Sequence, residues 1–129
     1  MEIVNSHEAL LVRNSNLAQC SFDDVKMQGS TFININLGNA SFIDVNLSNV
    51  SIKNANLTGM KINAAKAPLF CFDDVNMQGS SFTNINLGNA TFKDVDLNNV
   101  SIKESNLTGM KINDILVSEL IRVYEEQSK

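Results

Sequence analysis

Tryptophan is absent from this 129-residue chain, and tyrosine, proline and histidine occur once each. Two cysteines, Cys20 and Cys71, are too few for the regularly spaced bridges of a small secreted scaffold. Positive charge is not in surplus: 10 Lys plus Arg stand against 14 Asp plus Glu, for a net charge of −4. That balance speaks against a phosphate-binding surface, and direct nucleic-acid binding is not expected. No apolar run approaches the ~20 residues that cross a bilayer, so no membrane association is expected. The start, Met1 to Glu8, lacks the basic and then apolar stretches of a signal peptide. Together with the sparse cysteines, this points to the cytoplasm. Asn and Ser are abundant instead, and they recur on a fixed period.

Two repeats are nested in the chain. Residues 22–63 and 72–113 align without a gap at an offset of 50, and nine of the 42 positions differ. Inside this lies a period of five. Leu17, Phe22, Met27, Phe32, Leu37 and Phe42 open a series of large apolar centres that runs to Ile112, with Ala67 its one small member. Two residues before each centre stands a smaller apolar residue or Ser, such as Cys20, Val25 and Ser30. Five matches neither the 3.6 of a helix nor the 2.0 of a strand. Apolar residues one apart share a face only in an extended segment, so short extended pieces must alternate with corners. Asp24, Gly29, Asn34, Asn39, Asp44 and Asn49, two after each centre, are residues that tolerate positive φ or close a turn. Four edges and four corners close a square coil of about 20 residues.

The units Asn36-Leu37-Gly38-Asn39-Ala40, Asn56-Leu57-Thr58-Gly59-Met60 and Asn86-Leu87-Gly88-Asn89-Ala90 resemble the A-(N/D)-L-x-x motif of the pentapeptide repeat family. The register is unbroken over residues 10–117. The resemblance implies an all-β fold, a right-handed quadrilateral parallel β-helix. Centres 20 apart then stack in columns, Leu/Met walls alternating with Phe/Ile walls. Twenty-two units give a rod of roughly 26 Å at the strand spacing. The 50-residue offset is two and a half coils, so equivalent residues of the copies face opposite sides. Ala67 leaves its column short of volume, and Phe70 is the nearby residue that could fill it. The expected organisation is an N-terminal cap at 1–9, the solenoid at 10–117, and a capping or dimerisation helix at 118–129, N-capped by Ser118.

No catalytic, cofactor-binding or metal-binding set is expected. His7 lacks an orienting partner. Asp23-Asp24 and Asp73-Asp74 fall at corners, where Asp forms turns, whereas a cation site needs several converging oxygens. A broken column, Thr31, Ser51, Cys71, Thr91, Lys111, does not make a regular ice-binding array. The Asn columns are expected to satisfy one another and the backbone. What remains is a rigid scaffold for an unidentified protein partner. The resemblance also implies an alternative, since some members mimic a DNA duplex, bind DNA gyrase and protect it from quinolones. Such mimicry needs negative charge at phosphate-like density, and here lysines are interspersed among the acids. Leu120, Ile121, Val123 and Tyr124 form an apolar stripe on the last helix, a possible homodimer contact.

Overall fold

From Asn14 to Gly109 every fifth residue has positive φ, between 52° and 76°. This unbroken series of left-handed residues turns the chain through the corners predicted from the period. The computed structural model describes residues 2–4 and 11–127. They form a parallel β-solenoid of about five turns with one short C-terminal helix.

Two sheets make the rod. One consists of β1 (Glu2–Val4), β3 (Ser21–Asp23), β5 (Ser41–Ile43), β7 (Lys61–Lys66), β9 (Ser81–Asn86) and β11 (Ser101–Lys103). The other consists of β2 (Leu11–Asn16), β4 (Thr31–Asn36), β6 (Ser51–Asn56), β8 (Cys71–Asn76), β10 (Thr91–Asp96), β12 (Lys111–Ile112) and β13 (Ile115–Leu116). The parallel strands from Leu11 to Ile112 pair with a 20-residue shift, as in Phe32↔Ile52↔Phe72. β1 pairs one residue out of that frame, Ile3↔Phe22. The rest of the expected 1–9 cap, His7 included, lies outside the described residues.

The corners are of two kinds, which the period alone does not distinguish. At Gln19, Gly29, Asn39 and every tenth residue beyond, a tight turn joins the sheets. Its fourth residue donates its N–H to the carbonyl of the centre, as from Cys20 to Leu17 at 3.1 Å. At Asp24, Asn34, Asp44 and their successors the sheet only bends, and β4 runs through Asn34 without interruption. All four left-handed glycines lie at tight turns. At Gly59 a Cβ would overlap the Oδ1 of Asn39 one coil below.

The Asn before most Leu and Met centres now has a physical role. Its Oδ1 accepts the N–H two residues on, at 2.9 Å from Asn36 to Gly38 and 3.0 Å from Asn56 to Thr58. Equivalent bonds recur at Asn16, Asn46, Asn76, Asn86, Asp96 and Asn106. The amides also bond up the column, as from Asn56 to Asn36 at 3.3 Å. Lys66 offers no such acceptor, and the residue two beyond it is Pro68, which has no N–H to satisfy.

The interior is the stack of centres. Phe22 lies on Phe42 with ring centroids 4.5 Å apart and planes within 7°. Phe72 is sandwiched by Phe92 at 4.6 Å and Phe70 at 4.2 Å. The junction between the copies belongs to the rod: Ala67 is fully buried, Phe70 is 1% exposed, and Leu69 N–H reaches Gly88 O at 2.9 Å. No buried side-chain nitrogen or oxygen among the described residues lacks a partner.

The C-terminal end departs from expectation. The parallel coil stops at Ile112 instead of running to Val117. Asp114 is the left-handed residue the period requires, but Asn113 is left-handed as well, with φ 47°. Two such residues in succession make a reversing hairpin turn, and β13 returns antiparallel along β12. The Asn113 side chain accepts the Asp94 N–H at 3.2 Å; one half-turn and two coils earlier, a backbone carbonyl does this, Asn63 O to Asp44 N. Ile115, expected inside, is 49% exposed. The helix α1 spans Val117–Gln127, so Ser118 lies within its first turn instead of capping it.

Two substitutions at the junction are expected to act in opposite directions. Phe70→Ala removes a buried aromatic and should cost about 3–5 kcal/mol in denaturant unfolding; a loss near zero would mean that the junction is loosely packed. Leu69 is half exposed at φ 61°, where a leucine is strained. Leu69→Asn, matching Asn49 and Asn89 in its column, should stabilise by about 0.5–1 kcal/mol.

Candidate interaction surface

Outward side chains fall on four walls. The first displays Ser21, Asp23 and their equivalents every 20 residues; the second Lys26 and Gln28; the third Thr31 and Ile33; the fourth Asn36 and Gly38. Rungs of one wall are ~4.8 Å apart. Strands dictate which side chains point out, and the corners dictate where each wall ends.

This arrangement sorts the charges. Among the described residues, six cations occupy the second and third walls: Lys26 and Lys66 on one, Arg13, Lys53, Lys93 and Lys111 on the other. Asp73 is the one acid there, in register between Lys53 and Lys93. Of the other acids, five stand at the sheet bends, Asp24, Asp44 and Glu104 along one edge and Asp74 and Asp94 along the diagonally opposite edge, which Asp114 of the terminal hairpin extends. The tight-turn edges carry no charge. That between the second and third walls reads Gly29, Asn49, Leu69, Asn89, Gly109, and at its middle Leu69 is 52% exposed. The sequence signal for Leu69 was present, a leucine two after a centre where Asn or Gly stands in its neighbours, but the period alone gave it no role.

The sequence-predicted residues are placed as follows. Cys20 is buried, while Cys71 is half-buried on the third wall. Asp23 and Asp73 face outward from opposite walls, each beside a left-handed Asp at a bend. A cleft of about 190 Å³ beneath the terminal hairpin is lined by Cys71, Asp73, Lys93, Lys111 and Asp114 over Phe92. Among the described residues no three His, Cys, Asp or Glu side chains are grouped to hold a metal, and no helix is long and apolar enough to cross a membrane.

On α1, Leu120, Ile121 and Val123 are 44%, 45% and 38% exposed and Tyr124 is 69% exposed. Leu116 and Ile115 extend this apolar surface. In the last coil, Val95, Leu97, Val100, Ile102 and Leu107 are only partly buried. On the polar side Arg122 pairs with Glu119 and with Glu126, the latter at 2.7 Å. The hydrogen bond from Arg122 holds the Glu119 carboxyl below its ordinary value.

Residues 20–59 and 71–109 match the family described as Pentapeptide repeats, in eight copies. No curated protein sequence is significantly similar to the chain. Among solved structures, it is similar to a pentapeptide repeat protein from the thylakoid lumen of Arabidopsis thaliana, with 22% identity, a TM-score of 0.60, and coverage of 88% of this chain and 75% of that one. A pentapeptide repeat protein from the cyanobacterium Cyanothece 51142 has 22% identity, a TM-score of 0.36 and 88% coverage of both chains. Full-length QnrB1, a plasmid-mediated fluoroquinolone resistance protein, has 14% identity, a TM-score of 0.24, and coverage of 97% of this chain and all of the other.

Proposed function

The chain belongs to the pentapeptide repeat family, and from that premise we propose that it is a non-catalytic rod whose walls dock a protein partner. The observation that carries this reading is where the copies differ. None of the nine substitutions between residues 22–63 and 72–113 falls on a buried residue in either copy. Exposed or half-buried positions change instead, as in Lys26 to Asn76 and Ile43 to Lys93 on the walls, Asn54 to Glu104 at a corner, and the half-buried Ala55 to Ser105. The rod is retained while its surface is rewritten, a pattern suited to recognition by a rigid frame. Two unpaired cysteines fit a reducing compartment such as the cytoplasm. Capture with the intact chain, followed by titration against the purified partner, should give saturable binding at fixed stoichiometry without chemical turnover. Conversion of the partner or of a co-captured small molecule would overturn the reading.

Gyrase binding by duplex mimicry is the alternative. Six cations on two adjacent walls oppose it, because a duplex presents phosphate along its whole length. The protein is therefore expected to leave DNA supercoiling by gyrase unchanged at low micromolar concentration. Clear inhibition would replace the scaffold reading with mimicry.

The exposed stripe of α1 is proposed to join two chains end to end, burying Leu120, Ile121 and Tyr124 against the partly buried last coil of a second copy. This leaves the walls free and hides the terminal strand edges. Light scattering should give a mass that rises with concentration toward the dimer and falls to the monomer on replacing Leu120 and Tyr124 with Ser. A constant monomer mass would leave α1 as a cap only.

A further inference from the structure

We propose that the corner between the second and third walls, centred on Leu69, binds an extended acidic segment of a protein partner that carries one apolar anchor residue. The inference rests on the scaffold reading and assigns it a surface and a ligand chemistry. Cations are supplied one per coil on the two walls that meet at this corner. Arg13, Lys26, Lys53, Lys66 and Lys93 occupy five successive coils and alternate between the third wall and the second, and Lys111 closes the series. All six are exposed, and none is within 4.0 Å of an acid among the described residues. Their charge is thus uncompensated at contact range, in a chain whose net charge is −4.

Leu69 gives the site its centre. It takes a left-handed backbone that its column otherwise assigns to Asn or Gly, and it still leaves half its surface in water. Strain of this kind that brings no burial to the rod is unexplained by stability and accords with a binding role. Lys66 precedes it by three residues on the same coil, and Lys53 and Lys93 lie one coil below and above it on the third wall.

The borders of the surface select the ligand class. The acidic bends at Asp24, Asp44 and Glu104 on one side and at Asp74 and Asp94, extended by Asp114, on the other flank the two basic walls. A duplex broad enough to cross both walls would meet these acids with its phosphates. A single extended chain laid along the corner stays between them and meets one acid, Asp73, set in register between Lys53 and Lys93. It rises about 3.3 Å per residue, so about three residues span the two rungs between successive cations of the third wall.

The test is fluorescence anisotropy with a labelled peptide of about 15 residues, Asp and Glu throughout except for one central Phe, long enough to run the length of the rod. It should bind saturably and more weakly as salt rises. The double variant Lys66→Glu, Lys93→Glu and the single variant Leu69→Asn should each weaken binding by about fivefold or more. Lys103→Glu, on the opposite wall, should leave it within about twofold. Since Leu69→Asn is expected to raise the unfolding midpoint, weaker binding by that variant cannot be ascribed to unfolding. Absence of saturable binding, equal weakening by Lys103→Glu, or tighter binding of single-stranded DNA of matched length would overturn the proposal. A captured natural partner retained by the double variant and by Leu69→Asn would also overturn this surface while leaving the scaffold reading standing.

Discussion

A left-handed residue at every fifth position fixes the length of each edge, and edge length decides the rest of the structure. With four equal edges per coil, residues 20 apart come into register, and each coil's N–H and carbonyl groups meet those of the next. Register then stacks like on like, so that Phe22 meets Phe42 and Asn36 meets Asn56. The constraint is strong enough to hold Ala64, Leu69 and Glu104 in a conformation none of them favours. Where one additional residue, Asn113, becomes left-handed, the coil ends and the chain reverses.

Much of this was legible because the period of five needs no knowledge of tertiary contacts. The centres, the smaller inward residues and the left-handed positions all follow from counting, and so did the burial of Phe70 beside the small Ala67. The terminal hairpin did not follow. Asn113 has the same identity as Asn63 in the earlier copy, and the copies part only after it, from Asp114 against Ala64 onward. Ile115 and Val117 still fit the apolar frame, so the pattern continues past the point where the backbone departs from it. The distinction between tight turns and sheet bends was equally hidden, because Asn serves at both. Without that distinction the lysines and acids read as mixed on the same walls, whereas the structure places Asp24, Asp44, Asp74, Asp94 and Glu104 at the bends between walls.

The motif itself can be divided by physical role. The centre supplies burial, the Asn or Asp before most Leu and Met centres holds the tight turn through its side-chain oxygen, and the residue two after each centre supplies the corner. The outward positions left over are free of these duties, and most differences between the copies fall there; the exceptions keep their duty, as Asp96 still accepts the turn N–H that Asn46 accepts, and Glu104 still turns the corner of Asn54. Stability and recognition therefore reside in separate columns of one short unit, which lets a surface change without disturbing the hydrogen bonds beneath it. The strained Leu69 is an exception, a corner residue whose side chain does not serve the corner.

The half-integer length of the copied block couples the size of the rod to the bearing of its end. Each block of 50 residues adds two and a half coils, so one insertion carries the terminal hairpin and α1 half a turn about the long axis. A second identical insertion would bring them back to their original bearing. Parity of copy number, not length alone, thus decides whether the end of the rod faces the same side as a given wall near its start.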